Sequence, residues 1–492
     1  MPPAVQYDAT DPLSRFLLPP PGETPEDRAA RLQAEALAVQ KSREIDDEIK
    51  KQAKDKKEFV KVLLLGQAES GKSTTLKNMK LVYAKDSFRA ERGSWVPIVH
   101  FNILRQMVSV VRLVEEAIGL QEAEEASRQR ESSESRLDPE RQSVEARGRL
   151  QFTNDHRVLC MRLRPLLDLE STFTAHLNPY LSPALDSQRS TLGRREVFVQ
   201  SHFAWIKHFQ PGGSVGVGAN AGQQNHHRTS KGDALRNELA RVLNALAKTI
   251  LALWTDQVVR RLLNSRGVRL ELEAGFFLDD VERVTALNYE PTDLDVCKAR
   301  LKTVGVSETH LVVSSLFQHK YWVVYDVGGS RTQRATWKPY FEDVNAIVFL
   351  APLSAFNQQL EEDPEINRLA DSLMLWKDIS GSPLLVNAHL ILFLNKIDLL
   401  QKKLEQGIEF GNYIHHYSGS NDLEAVCKYM KKRFLSVNKE AQSKIKLSSK
   451  SSVARLVRVF PTSVLDIEAT SRIIVQVQDT ILGSAIQSCD LV

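Results

Sequence analysis

An eight-residue stretch near the start of the chain combines glycine, lysine and serine at a spacing suited to phosphate chemistry. Residues 66–73 read GQAESGKS, a GxxxxGKS pattern between a predicted strand and a predicted helix. The glycines let backbone N–H groups face phosphate oxygens, and the helix N-terminus adds its dipole. In such a site Lys72 reaches the β- and γ-phosphates, and the Ser73 hydroxyl binds Mg²⁺. The stretch predicts a nucleoside triphosphate site, with a plain glycine turn as the alternative.

A second motif, NKID at residues 395–398, predicts which base is bound. It follows the apolar run HLILFL. The Asp398 carboxylate accepts hydrogen bonds, and guanine offers it a ring N–H and an exocyclic amine in a pattern that adenine lacks. Asn395 and the stem of Lys396 would frame the base. Downstream of a phosphate-binding pattern, this motif favours GTP and disfavours a P-loop ATPase.

A third motif, DVGG at residues 326–329, ends another apolar run. Asp326 is expected to hold Mg²⁺ through a water molecule, and the Gly329 N–H to meet the γ-phosphate. The next residue, Ser330, lies where a nucleotide hydrolase would carry a water-positioning glutamine. Together the three motifs predict a site for GTP or GDP with Mg²⁺.

The composition is that of a soluble protein of a reducing compartment. With 492 residues the chain is long enough for two domains. Its 65 basic and 61 acidic residues nearly balance, which gives no case for nucleic-acid binding. The four cysteines form no CxxC pair and suggest neither a disulfide framework nor a zinc site. No apolar run approaches ~18 residues, so no membrane span is expected.

Six apolar runs of strand length position the motifs. Five have the near-continuous hydrophobicity of strands covered on both faces, and helical stretches separate most of them, as in a doubly wound α/β sheet. The second and third runs are divided only by a short break and predict an antiparallel hairpin. The six runs are residues 59–66, 310–316, 321–326, 345–351, 389–395 and 456–460.

More than 200 residues of a different character separate the first strand from the second. Segments 96–118 and 233–263 have helical periodicity and long apolar faces, which predicts an all-helical domain inserted at residues 81–290. Two stretches within it, 121–149 and 211–233, are serine-rich with mixed charge or glycine-rich. We expect both to be disordered.

The remaining boundaries follow from these. Residues 59–80 and 291–492 form the predicted GTPase domain, and residues 1–23 are expected to be disordered. Thr24 is expected to cap a highly charged helix over 24–58. This helix has so little apolar surface that it is either solvated or docked on a partner.

On these motifs the chain resembles the α subunits of heterotrimeric G proteins, in a divergent, expanded, fungal-type form. AESGKST at 68–74 carries the Glu-Ser pair that distinguishes this family from the small GTPases. Residues 278–308 are similar to the family's helical-domain exit and first switch, and residues 342–379 follow the family nearly throughout. The likeness covers roughly 24–85 and 233–492. It implies a Ras-like P-loop GTPase sheet with an inserted helical domain, in agreement with the periodicity.

The resemblance also implies roles for single residues. Arg300 falls on the family's catalytic arginine, which neutralises charge on the transferred phosphoryl group. Thr303 falls on the switch threonine that binds Mg²⁺, while Arg334 and Trp337 fall on the second switch. Val464 lies in the base-contact loop, where this chain departs from the family's Cys-Ala-Thr. The residues expected to bind GTP are Gly66, Glu69, Ser70, Gly71, Lys72, Ser73, Thr74, Arg300, Thr303, Gly329, Asn395, Lys396, Asp398 and Val464, and the expected metal ligands are Ser73, Thr303 and, through water, Asp326.

Two departures from the family bear on hydrolysis. Ser330 replaces the catalytic glutamine and is two side-chain bonds shorter, a loss of roughly 2–3 Å of reach. Misplacing a reacting group by ~1 Å can already slow a reaction ~10²-fold. Ala68 replaces a phosphate-loop glycine, and its methyl group is expected in the space that glutamine and arginine share. With Arg300 and Ser330 as catalytic residues, we expect a signalling GTPase with slow hydrolysis. The alternative is a GTP-locked interaction or scaffold protein with negligible hydrolysis.

Partners and location are also implied by the resemblance. A βγ dimer would dock on the 24–58 helix, and a G protein-coupled receptor on the C-terminal tail, which carries Cys489; a packing helix is the alternative for that tail. An effector of unknown identity is expected as well. Pro2 and the absence of cysteine before Cys160 remove the simplest lipid anchors. We therefore expect a cytoplasmic protein at the inner face of the plasma membrane, in indirect contact with it through partners.

Overall fold

A computed structural model describes most of the chain in two compact units, Met1–Phe59 and Val60–Val492. The predicted disordered N-terminus, residues 1–23, lies outside the described residues. The structure describes residues 24–132, 150–177, 198–199, 225–303, 305–314, 319–360, 362–448 and 457–489.

The first unit contains one long helix, α1 (Pro25–Glu58). It begins where the sequence predicts, since the Arg28 N–H donates to the Thr24 carbonyl at 2.9 Å, as at an N-cap. Leu37 and Val39 are more than half exposed. The helix thus carries apolar side chains that its own unit does not bury, and docking on a βγ dimer stays a prediction.

The described strands form one six-stranded sheet and one two-stranded pair. The strands are β1 (Phe59–Gly66), β2 (Phe198–Val199), β3 (Lys302–Thr303), β4 (Val306–Ser314), β5 (His319–Val327), β6 (Ala346–Pro352), β7 (His389–Asn395) and β8 (Val457–Pro461).

The large sheet has the order β4-β5-β1-β6-β7-β8. Strands β4 and β5 are antiparallel with Leu311 opposite Trp322, which confirms the predicted hairpin. Strands β1, β6, β7 and β8 run parallel, with Leu64 opposite Val348 in the first pair. Burial is continuous along β6, whereas β4 alternates and β8 is only partly covered. The prediction that five strands are covered on both faces was wrong, because edge strands keep contact with solvent.

Thirteen further helices are described in the second unit. Among the described residues none is both long and apolar enough to cross a membrane. The helices are α2 (Lys72–Tyr83), α3 (Lys85–Ala90), α4 (Val96–Ser132), α5 (Asn154–Leu163), α6 (Pro165–Leu177), α7 (Asn225–Thr255), α8 (Gln257–Ser265), α9 (Val281–Val284), α10 (Asp293–Lys298), α11 (Arg368–Ser380), α12 (Ile397–Glu405), α13 (Leu423–Ser448) and α14 (Ile467–Cys489).

Both faces of the sheet are covered by helices, which confirms the α/β fold class. On one face α11, α12 and α13 pack with Trp376 and Phe434 in the core. On the other face α2 and α14 contribute Met79 and Ile474. This arrangement leaves the carboxyl ends of the parallel strands free to hold the motifs.

Helices α4 to α10 share a separate apolar core. In it Phe101 and Phe173 stack with ring centroids 5.1 Å apart. The core extends as far as Ala299, past the end of the helical domain predicted at residues 81–290. The described part of the insertion is helical except for β2 (Phe198–Val199), so the prediction of an all-helical insertion was wrong at that strand. The domain bounds stay a prediction.

The two predicted disordered stretches are partly helical. Helix α4 continues through Ser132, into the 121–149 stretch, because Glu, Ala, Gln and Arg are good helix formers. The Gln121 side chain also bonds Glu125 at 3.0 Å, one helical turn on. Helix α7 includes 225–233, beyond the cluster of glycines in the 211–233 stretch. The rest of both stretches lies outside the described residues.

Candidate nucleotide-binding site

The three sequence motifs meet around one cavity of about 380 Å³. The phosphate loop, residues 66–73, joins β1 to α2; the DVGG motif ends β5; and NKID joins β7 to α12. Their convergence at the carboxyl ends of neighbouring strands is where open α/β sheets bind ligands.

The phosphate loop depends on glycine at two positions. Gly66 and Gly71 have φ values of 141° and 104°, which side chains rarely adopt. A Cβ on Gly71 would also lie 2.4 Å from the Asn395 amide nitrogen. Lys72 Nζ crosses the loop and donates to the carbonyls of Gly66 at 2.9 Å and Gln67 at 2.7 Å. Burial lowers the pKa of Lys72 to about 8, so this cation is held in a desolvated position.

Two of the three expected metal ligands are in contact. The Ser73 hydroxyl donates to Asp326 Oδ2 at 2.6 Å. Within the described part of the chain, Asp326 Oδ1 is buried and has no hydrogen-bond partner. Burial raises the pKa of Asp326, a penalty that a cation would relieve. Adjacent carboxylate and hydroxyl oxygens fit Mg²⁺, which binds few protein ligands and keeps water and phosphate as the others. The third, Thr303, is described only through its backbone in β3.

Gly329 lies against the phosphate loop. Its carbonyl accepts a hydrogen bond from the Ala68 N–H at 3.0 Å. A Cβ on Gly329 would lie 2.5 Å from both that nitrogen and Lys72 Nζ. This contact requires glycine and brings the start of the predicted second switch next to Lys72, the predicted phosphate-binding lysine.

Ser330 lines the cavity, as expected for the position after DVGG. Its hydroxyl is 3.3 Å from the Thr332 hydroxyl, within the 3₁₀ segment Arg331–Tyr340 that follows. We name this stretch the 331–340 segment. The short side chain is therefore bonded locally, which agrees with the reduced reach inferred from its length.

Arg300 enters the cavity from the other side and forms an ion pair with Glu69. Glu69 has a φ of 60°, which is costly for a residue with a side chain. Asn102 of α4 holds the Arg300 backbone at two points. Its Oδ1 accepts from the Arg300 N–H at 2.8 Å, and its Nδ2 donates to the Arg300 carbonyl at 3.0 Å. The helical region thus positions the predicted catalytic arginine.

Asn395 joins the loops predicted to bind the base to the phosphate loop. Its fully buried amide donates to the Ser70 carbonyl at 2.7 Å. Its Oδ1 accepts from the Val464 N–H and the Thr462 hydroxyl, both at 3.2 Å. The loops that would surround a base therefore form one hydrogen-bonded unit.

The other base-side residues also line the cavity. Lys396 has a φ of 62°, and burial lowers its pKa to about 8. Asp398 lies in the first turn of α12. The Val464 N–H is already bonded to Asn395, so its expected contact with guanine stays a prediction. Of the predicted site residues whose burial is described, Gly66 and Asp326 do not line the cavity.

A buried cluster beside the phosphate loop was not predicted from the sequence. Asp371 of α11 accepts two hydrogen bonds from the Arg334 guanidinium, at 3.0 and 2.5 Å. Gln67 donates to the same carboxylate and to the Arg368 carbonyl. Arg368 in turn donates to the Ala68 carbonyl at 2.7 Å. The phosphate loop, Arg334 and α11 are far apart in sequence, and no local pattern marks these residues as a group.

Comparison with known proteins gives a consistent result. A family model for the G-protein alpha subunit matches residues 39–481. The chain is 32% identical to the guanine nucleotide-binding protein alpha-4 subunit of Mycosarcoma maydis, over 99% of this chain and 96% of that protein. It is 30% identical to a guanine nucleotide-binding protein subunit alpha of Emericella nidulans, over 82% and 86%, and 29% identical to the G-protein complex alpha subunit gpaA of Aspergillus fumigatus, over the same shares. With this match and the fold described above, the chain belongs to the G-protein α-subunit family.

Proposed function

We propose that this protein is a signalling switch that binds GTP or GDP in the 380 Å³ cavity and hydrolyses GTP slowly. The observation that carries the proposal is the convergence of the phosphate loop, the DVGG motif and the NKID motif on that one cavity. The names of the fungal relatives support the same nucleotide.

The base is selected by the loops that Asn395 joins. The Asp398 carboxylate accepts from the ring N–H and the exocyclic amine of guanine, and an adenine would leave this carboxylate unpaired. Lys396 covers the base with its apolar stem. Selectivity for guanine over adenine therefore depends chiefly on one carboxylate.

The phosphates are bound by the backbone N–H groups of residues 69–73 and by Lys72. Ser73 and Asp326 would hold Mg²⁺, with Thr303 as the further ligand implied by the family. Mg²⁺, when bound, neutralises phosphate charge and orients the terminal phosphate. Because Lys72 is already held against the loop, little rearrangement is needed to receive the β- and γ-phosphates.

Catalysis of GTP hydrolysis is assigned to Arg300, and Ser330 is proposed to keep the rate of hydrolysis low. To reach a γ-phosphate the Arg300 guanidinium must exchange its ion pair with Glu69 for phosphate oxygens. Ser330 is too short to orient an attacking water as a glutamine would, and its hydroxyl bonds Thr332. The Ala68 methyl group takes further space on the same side of the cavity.

The second candidate is a GTP-locked interaction protein, favoured by that local use of the Ser330 hydroxyl. In this case Arg300 contributes to binding through charge and hydrolysis is negligible. The two candidates share the same nucleotide site and differ only in turnover.

Partners are proposed from the family. Helix α1 is the proposed docking element for a βγ dimer, because its apolar side chains are exposed within its own unit. Helix α14 is proposed to carry the receptor-contacting tail. Its first part is also a packing helix, since Ile474 and Val477 are buried against the sheet. We propose that contact with the inner face of the plasma membrane is made through these partners.

The test begins with the nucleotide that purified protein releases on denaturation. GDP supports a cycling enzyme, GTP supports the locked form, and adenine nucleotide refutes the proposal. Single-turnover GTP hydrolysis with Mg²⁺ then compares the parent with Arg300→Ala and Ser330→Gln. Measurable turnover that Arg300→Ala abolishes supports the slow enzyme. No parental turnover with a gain in Ser330→Gln supports the locked switch. If GTP binds tightly and none of the three turns over, the role of Arg300 is wrong.

A further inference from the structure

Gln67 is a buried polar residue of the phosphate loop that the proposed chemistry does not use. It is 1% exposed, and its side chain points to α11. Its Nε2 donates to the Asp371 carboxylate and, at 2.7 Å, to the Arg368 carbonyl, so both amide hydrogens have acceptors. Its Oε1 is buried with no partner among the described residues. Burial of an amide whose oxygen has no partner costs free energy of folding, which indicates that the two hydrogen bonds donated by Gln67 have a role of their own.

The acceptor of one of these bonds also holds the 331–340 segment. Asp371 is 3% exposed, and Arg334 of that segment binds it with two nitrogens. Although burial alone raises the pKa of Asp371, the Arg334 guanidinium and the Gln67 amide hold it below its ordinary value. The carboxylate is therefore charged and shared between the phosphate loop and the segment. A shared charged acceptor couples the two donors, because each helps to fix its position.

A second contact docks the same segment. Trp337 is 2% exposed, and its indole N–H donates to the Gly328 carbonyl at 3.0 Å. The further pair between Arg331 and Asp363 is solvent-exposed and contributes little. The docked position of the segment thus depends on Asp371, on burial of the Trp337 indole and on Tyr340, whose ring lies 5.2 Å from that of Tyr325.

We propose that Gln67 is a positioning residue: by fixing Asp371 it keeps the 331–340 segment docked on α11 in the GDP-bound protein as well as the GTP-bound protein. This inference rests on the proposed nucleotide switch and goes beyond it. All the contacts involved are made between protein groups, so they do not require a γ-phosphate. The expected consequence concerns the population of undocked segment in the GDP-bound and GTP-bound protein. These two populations should differ less than they would in a chain without Gln67.

The size of the effect follows from the type of bond. Hydrogen bonds to charged groups contribute more than neutral ones, and loss of one corresponds to a change of roughly tenfold in an equilibrium constant. Removal of the Gln67 amide should therefore raise the population of undocked segment about tenfold in the GDP state. In the GTP state the predicted contact of Gly329 with the γ-phosphate would also hold the segment, so the rise should be smaller.

Hydrogen–deuterium exchange of peptides spanning residues 331–340 measures this population. The full-length chain is compared with GDP and with GTPγS, as parent and as Gln67→Met, which keeps the side-chain volume but removes the amide. Gln106→Met is the matched control: Gln106 is 4% exposed and bonds Gly275 and Phe277, away from the segment. We expect about tenfold faster exchange in Gln67→Met with GDP and no change in Gln106→Met. Gln67→Asn, which is too short to reach Asp371, should behave like Gln67→Met and replaces it if that variant does not fold.

A double-mutant cycle distinguishes positioning from general stability. Once Arg334→Met has removed the ion pair, Gln67→Met should add no further exchange. Any one of three results would overturn the inference. Exchange in Gln67→Met could stay within twofold of the parent, Gln106→Met could accelerate exchange as much as Gln67→Met does, or the effects of Gln67→Met and Arg334→Met could be fully additive. If the parent binds neither GDP nor GTPγS, the proposed function fails, and exchange of the nucleotide-free protein still tests Gln67 by the same criteria.

Discussion

Asn102 offers a test of how the helical region controls the predicted catalytic arginine. The oxygen of its side-chain amide accepts from the Arg300 N–H at 2.8 Å, and the nitrogen of the same amide donates to the Arg300 carbonyl at 3.0 Å. Gly275 allows this approach, because a Cβ there would lie 2.6 Å from Asn102 Oδ1. Asn102→Ala removes both hydrogen bonds and changes no residue that lines the cavity. We expect slower hydrolysis with nucleotide affinity changed less than threefold.

The magnitude follows from the two bonds. Each contributes a net free energy of about 1 kcal/mol, so their loss weakens the placement of Arg300 by ~2 kcal/mol. A tenfold change in rate corresponds to ~1.4 kcal/mol, and the single-turnover rate should therefore fall by up to ~30-fold. In an Arg300→Ala background, Asn102→Ala should have no further effect on the rate, because the group that it positions is gone.

The assay is single-turnover GTP hydrolysis with Mg²⁺, alongside urea unfolding of each variant. Asn421→Ala is the matched control, since Asn421 brackets a backbone in the same way, with bonds of 3.2 Å to the Ile408 carbonyl and 2.9 Å from the Phe410 N–H, but does not line the cavity. It should lose stability without losing rate. A parental rate in Asn102→Ala, with Arg300→Ala inactive, would refute the idea that α4 positions the arginine.

Three further predictions concern pH, the second switch and the base loops. Burial lowers the pKa of Lys403 from 10.5 to about 7. Between these pH values the unfolded chain binds one more proton than the folded chain, so the free energy of unfolding rises with pH. Urea titrations at pH 7 and 9 should show that this rise is smaller in Lys403→Met than in the parent, by up to ~1.4 kcal/mol per pH unit, and that it is unchanged in the control Lys402→Met, which replaces an exposed residue. Gly329→Ala would bring a methyl group within 2.5 Å of a phosphate-loop nitrogen, so we expect GDP binding to persist while GTPγS no longer alters tryptophan fluorescence; a parental response would contradict this. Asn395→Ala removes three buried hydrogen bonds, one to the phosphate loop at Ser70 and two between the base loops at Thr462 and Val464. It should speed release of a fluorescent GDP analogue ~10²-fold, and release within threefold of the parent would count against a structural link.

Much of the fold was predictable because its signals are local. The strand before GQAESGKS, the hairpin and the strand before NKID each combine an apolar run with a glycine or polar turn, and all are present. The prediction of the fold was least accurate where disorder was inferred from amino-acid composition alone. Residues 121–132 are polar, which suggested disorder, yet they continue α4 because helix propensity and an apolar start outweigh surface polarity.

In the candidate site, too, the features with local sequence signals were predictable and the long-range contacts were not. Lys72, Ser73 and Asp398 were assigned from motifs, because their roles depend on neighbours a few residues away. Asn102 and Arg300 are 198 residues apart, and nothing in either neighbourhood indicates that an amide of α4 holds the arginine's backbone.

By itself the sequence determined the phosphate loop, the choice of guanine over adenine as the expected base, and the loss of reach at Ser330, since each depends on the identity of single side chains in a local pattern. Only the tertiary structure decided what those side chains are bonded to. Arg300 is paired with Glu69, and Gln67 with Asp371, because packing of distant helices on one sheet brings buried polar groups together and each must then find a partner.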